Sequence, residues 1–213
     1  MSGENIQQEK SIRKHWFPVL AGVLILAIVI VVAYPYLQKQ QIPVLKAMND
    51  FTLENIDGTT YTFSESAGKV RLVEFIFTNC PDICPATTYN MAQLQEQLKA
   101  ANLFGDKVEF LTITFDPEYD TPEVLQAYAD KFHADQSGWK FLRGDSAAIE
   151  AVTKDFGIAV MKLPDANSPS GYSITHTARM FLVDGDGNMR QAYGMAADMD
   201  LDQMLKEIKI LAD

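Results

Sequence analysis

Residues 17–37, FPVLAGVLILAIVIVVAYPYL, contain no charged side chain. A run this long and this apolar cannot be shared out over the surface of a small domain, and about twenty such residues cross a bilayer as one helix. Lys10, Arg13 and Lys14 precede it, while Lys39 and Lys46 follow more sparsely. That asymmetry predicts a cytoplasmic N-terminus and an extracytoplasmic remainder. Trp16 suits an inner aromatic belt, and Tyr34 and Tyr36 an outer one. A cleaved signal peptide is the competing reading. The run is longer than a usual signal core, Ala33-Tyr34-Pro35 makes a poor cleavage site, and no cysteine follows to carry a lipid. The expected layout is therefore a cytoplasmic tail (1–16), a transmembrane anchor (17–37), a tether (38–50) and a domain (51–213). The expected location is the cell membrane, single-pass.

Beyond the anchor, the pattern alternates between strand and helix. Residues 51–65 predict a hairpin turning at Asp57-Gly58. Apolar runs at 70–77 and 108–115 predict buried strands, and 86–101 a helix with Met91, Leu94 and Leu98 on one face. Asp120-Thr121-Pro122-Glu123 predicts a helix start, with Asp120 as N-cap and Glu123 in the capping-box position. A short strand at 140–142 and a helix at 146–156 follow. Residues 178–183 and 189–193 predict a second hairpin around Gly185-Asp186-Gly187-Asn188, and Leu201, Met204, Leu205, Ile208 and Leu211 mark a last amphipathic helix. Parallel crossovers followed by an antiparallel hairpin predict an α/β sandwich of thioredoxin type with an N-terminal β-hairpin.

The only two cysteines, Cys80 and Cys84, fall between the first buried strand and its helix. A strand-to-helix turn presents backbone N–H groups and a helix dipole to both sulfurs, which favours thiolate. Thiolates bind soft metals or attack disulfides. Three residues separate this pair, where thioredoxin-type redox motifs have two. The wider spacing lets the sulfurs hold a metal between them with a disulfide still in reach. Pro81 restricts the loop and Pro85 suits the first helical turn. The formal net charge of −10 argues against nucleic acid as a partner.

Cu(I) accepts two sulfurs and an imidazole, and three histidines are available. His15 lies on the far side of the anchor, and His133 ends a helix, where a surface cation suits the dipole. His176 precedes the strand expected beside the one that delivers Cys80, which makes it the candidate third ligand. Met161, Met180 and Met195 fit core filling better than ligation. Zinc would want a fourth donor, for which Asp82 is the local choice. Asp116, at the C-terminal end of a strand on the site's side of the sheet, is a candidate for partner docking.

The run Cys80-Pro81-Asp82-Ile83-Cys84-Pro85, the run DPEYDTP at 116–122 and a histidine before a terminal strand together resemble the SCO/SenC family. The resemblance extends over the whole chain beyond the tether. It implies a membrane-anchored copper chaperone of thioredoxin fold that serves the dinuclear copper site of cytochrome c oxidase, with Cys80, Cys84 and His176 as copper ligands. The family usually carries a histidine before the first cysteine and an acid before the ligand histidine. This chain has Asn79 and Thr175 there, and Thr175 cannot lend the imidazole a carboxylate's charge.

Two functions follow. The first is copper delivery to the copper-bearing oxidase subunit, or preparation of its thiols. Only thiolates ligate, so the Cys80–Cys84 disulfide expected in an oxidising compartment must be opened by a membrane or extracytoplasmic thiol reductase. The alternative is a thiol–disulfide oxidoreductase that uses Cys80 and Cys84 as a redox pair and needs neither metal nor His176.

Overall fold

The computed structural model describes residues 3–40, 42–168 and 170–213, with the side chains of 16, 18–34 and 37 described in the first helix. Two compact units divide the chain, Met1–Gln41 and Ile42–Asp213. The first is a single helix, α1 (Gly3–Gln40). Its described apolar side chains have no cover within their own unit: from Val19 to Val32 the Val, Leu and Ile residues are 54–72% exposed. Among the described residues, no helix is long and apolar enough to cross a membrane. The expected span also includes Phe17, Pro35 and Tyr36, whose side chains lie outside the described residues, as do those of Lys10, Arg13, Lys14, His15 and Lys39.

The second unit is built on an eight-stranded sheet. Its strands are β1 (Lys46–Ala47), β2 (Thr52–Asn55), β3 (Thr60–Thr62), β4 (Val70–Ile76), β5 (Val108–Thr114), β6 (Trp139–Arg143), β9 (Met180–Val183) and β10 (Asn188–Tyr193), in spatial order β1-β10-β9-β4-β5-β6-β2-β3. β4, β5 and β6 run parallel, with Val70 opposite Val108 and Phe110 opposite Trp139. β9 pairs antiparallel with β4 on its other side. Every residue of β4 and β5 is buried. A parallel pair covered on both faces has no solvent side, so it shows a continuous apolar run instead of alternation. Among the described residues, four α-helices complete the unit: α2 (Ile83–Ala100), α3 (Pro122–Lys131), α4 (Ser146–Asp155) and α5 (Leu201–Ala212). Successive β4 side chains point to opposite faces. Glu74 meets Thr88 of α2, while the Phe75 ring lies 5.3 Å from that of Phe156, just past α4. The α/β, thioredoxin-like architecture is as expected, and Gly58, at φ 78°, turns the first hairpin.

Four local expectations differ. The tether ends sooner than residue 50. The Ile42 carbonyl accepts Arg190 Nε at 3.0 Å, β1 pairs with β10, and Lys46 and Asn49 both bind the Asp155 carboxylate. These polar residues look like linker because their partners lie more than a hundred positions away. Helix α2 begins at Ile83, so Cys84 stands inside its first turn rather than before it. Asp120 does not cap α3: Thr121 does, its Oγ1 accepting Val124 N–H. Finally, a separate two-stranded antiparallel sheet, β7 (Val160–Pro164) and β8 (Tyr172–His176), was not signalled. All five residues of β7 are exposed, so no buried face marks it as a strand.

Candidate functional site

β4 delivers the chain into a loop at residues 77–82, and the loop turns into α2. Cys80 N–H bonds the Phe77 carbonyl at 3.1 Å. Cys80 is half-buried and Cys84 fully buried, and both are free thiols. The Cys84 thiol donates to the Cys80 sulfur, which brings Cys80 down to about 6. Burial opposes that shift, and the N–H groups of Asp82, Cys84 and Ile83 add to it. The same shared proton, together with burial, holds the Cys84 thiol well above its ordinary range. The pair is thus asymmetric, with an accessible thiolate at a helix N-terminus above a buried thiol.

Polar groups hidden from water fix the loop. Asp120 is fully buried, and it accepts Thr78 N–H at 3.2 Å, the Thr78 hydroxyl, and the Thr114 hydroxyl at 2.5 Å. Burial raises its pKa, against those bonds. Beneath the pair, Glu74 is fully buried and pairs with no cation among the described residues. It accepts Thr112 Oγ1 at 2.6 Å, and burial pushes it up to about 7. Thr88 Oγ1 lies 3.3 Å from Glu74 and 3.0 Å from the Cys84 carbonyl. A cleft of about 330 Å³ opens beside Cys80, with Phe77, Asn79, Pro81, Tyr172 and Ser173 in its walls.

His176 is the last residue of β8 and therefore lies outside the large sheet, not at the head of β9 as the sequence suggested. Its ring sits 4.6 Å from Phe115, and Nδ1 is 3.0 Å from the Thr177 carbonyl. An N–H donated there leaves the Nε2 lone pair for a metal. Phe115 in turn lies 6.5 Å from Phe77 at the start of the cysteine loop. Among the described residues, no three His, Cys, Asp or Glu side chains stand together as a metal site. The structure thus joins the thiols and keeps the imidazole on the neighbouring hairpin.

Asp116, the candidate for partner docking, is turned into the domain. It is 1% exposed, and its two oxygens accept Lys162 Nζ and Tyr172 Oη. His133 is exposed, and Asp82 is exposed at the N-terminus of α2. Met180 and Met195 are core, whereas Met161 is 61% exposed on β7. Sequence reasoning missed Thr78, Tyr172, Lys162 and Glu74. Only Glu74 had a signal, as a lone acid in a strand expected to be buried on both faces.

As a chemical donor set, a helix-terminal thiolate, a second thiol hydrogen-bonded to it and an available imidazole nitrogen suit a soft monovalent ion. Zinc finds no fourth donor among the described residues. Fold and pair together define a thioredoxin-like dithiol protein.

The chain belongs to the SCO1/SenC family, whose sequence profile matches residues 39–213. It is 32% identical over 169 residues to the SCO1 protein homolog of Bacillus subtilis (strain 168), spanning 78% of this chain and 83% of that one. Solved structures are similar as well, two of them of Sco proteins. ScoI of Bradyrhizobium japonicum, with copper bound, gives a TM-score of 0.67 at 26% identity over 78% of this chain and 99% of its own. BsSco, described as a member of the Sco family of cytochrome c oxidase assembly proteins with a disulfide switch, gives 0.67 at 30% identity over 80% and 96%.

Proposed function

We propose that this is a membrane-anchored copper-binding protein that delivers Cu(I) to, or prepares the thiols of, the dinuclear copper site of cytochrome c oxidase. Cys80, Cys84 and His176 are the proposed ligands. The observation that carries the reading is the free, half-buried Cys80 thiol beside buried Cys84 at the α2 N-terminus, with its pKa lowered to about 6. It supplies one thiolate at neutral pH, and a soft cation would displace the proton that the two sulfurs share. The copper-bound relative and the oxidase-assembly relative support the cargo and the recipient. The uncharged run at 17–37 and the uncovered side chains of α1 support the anchor, with the N-terminus cytoplasmic and the domain extracytoplasmic. There the Cys80–Cys84 disulfide is the resting form, and a thiol reductase of the membrane or the extracytoplasmic space is a required partner.

The separation of His176 from the thiols favours a second reading, a thiol–disulfide oxidoreductase. In that role Cys80 attacks a partner's disulfide and Cys84 resolves the mixed disulfide. The two readings part at His176→Ala, tested on the reduced full-length protein. The copper reading expects Cu(I) binding to weaken and oxidase assembly to be lost. If the variant binds one Cu(I) as tightly as wild type, the ligand assignment is wrong, and rescue of assembly by a variant that has lost copper favours the oxidoreductase.

A further inference from the structure

The hairpin that carries His176 forms no ladder with the large sheet, since β7 and β8 pair only with each other. Its pose therefore depends on a few side-chain contacts. Period-2 geometry puts Tyr172, Ile174 and His176 on one face of β8. All three press on the body of the domain: Ile174 is buried, the His176 ring lies on Phe115, and Tyr172 Oη donates to Asp116 Oδ2 at 2.5 Å. The partner strand reaches the same carboxylate, with Lys162 Nζ 2.9 Å from Asp116 Oδ1 and 4.0 Å above the Tyr172 ring. One buried carboxylate thus takes one bond from each strand. At the turn, next to Tyr172, Asn79 Nδ2 donates to Ser168 Oγ at 2.8 Å and Ser170 Oγ at 3.1 Å, linking the residue next to Cys80 to the hairpin.

We propose that Asp116, Tyr172 and Lys162 form a latch that fixes β8 against the domain with the His176 ring on Phe115, so that Asp116 and Tyr172 are positioning residues for the imidazole. The latch rests on the reading of His176 as a copper ligand. A ligand on an untethered hairpin loses ordering entropy whenever it engages, and a latch removes that cost beforehand. Asp116 is well suited to the task, because a carboxylate withdrawn from water keeps its bonds only while both donors stay in place.

The test is a double-mutant cycle on reduced full-length protein in detergent, read by competition for Cu(I) with a chromophoric chelator. Amide exchange of the metal-free protein supplies the second readout. Tyr172→Phe is expected to weaken Cu(I) binding about tenfold, the scale set by loss of a ligand's outer support. It should also speed amide exchange in Tyr172–His176 while leaving Val70–Ile76 unchanged. In the His176→Ala background the same substitution should cost nothing further. Unchanged affinity for Tyr172→Phe, or an equal loss in both backgrounds, overturns the latch and spares the ligand reading. Wild-type affinity in His176→Ala alone overturns the ligand reading, and the latch with it. Lys162→Met and Asp116→Asn test the same latch from its other corners should Tyr172→Phe fail to fold.

Discussion

Glu74 and Cys80 are shifted in opposite directions by neighbouring parts of one core. Cys80 has a proton donor and three backbone N–H groups, so its charged form is favoured. Glu74 has only the hydroxyls of Thr112 and Thr88 against full burial, and its charged form is disfavoured up to about pH 7. A carboxyl whose folded pKa lies above its unfolded value near 4.5 stabilises the fold fully below that value. The contribution is then lost as pH rises through about 7. Over that window it amounts to about 3 kcal/mol. Urea midpoints of wild type and Glu74→Gln, compared at pH 5 and pH 8, should therefore differ by a pH-dependent amount, with wild type losing stability relative to the variant as pH rises. A pH-independent difference would mean that Glu74 is already ionised at pH 5.

At the scale of elements, the strand-to-helix loop holds its shape through groups on other segments. The sequence assigns Asp120 to the start of α3 by pattern. The structure gives that task to Thr121 and turns Asp120 inward onto Thr78 and Thr114. The two roles differ in cost. Thr121→Ala removes a cap and should lower stability by about 1 kcal/mol. Asp120→Ala leaves the Thr78 N–H and two hydroxyls without their acceptor, and should cost about 2–3 kcal/mol. Chemical denaturation of both variants checks the ranking, and equal costs would return Asp120 to a capping role. The local tetrapeptide allows either residue to cap, and only the adjacent loop of β4 breaks the tie.

For the whole molecule, metal binding and folding are linked. A ligand that binds only the native state stabilises it by about 2.7 kcal/mol at a free concentration a hundred times its dissociation constant. Reduced protein should gain thermal stability with Cu(I) accordingly. The protein with a closed Cys80–Cys84 disulfide should gain nothing, because its sulfurs no longer ligate. Differential scanning calorimetry on both forms decides the matter, and an equal gain in both would place the copper elsewhere.

The sequence by itself determined what is encoded over a few neighbouring residues: the uncharged run at 17–37, the order of the domain's helices and of its strands other than β1, β7 and β8, and the helix-terminal cysteine pair. These depend on periodicity, charge count and turn chemistry, all of which are local. Only the tertiary structure decided where the domain begins, that His176 rides on a hairpin of its own, and that Asp116 is an internal anchor. Those facts rest on polar partners far apart in the chain. Asp116 and Tyr172 are 56 positions apart, Asn79 and Ser168 are 89, and Lys46 and Asp155 are 109. Buried polar groups must find partners wherever the fold brings them, and no local pattern names which ones those will be.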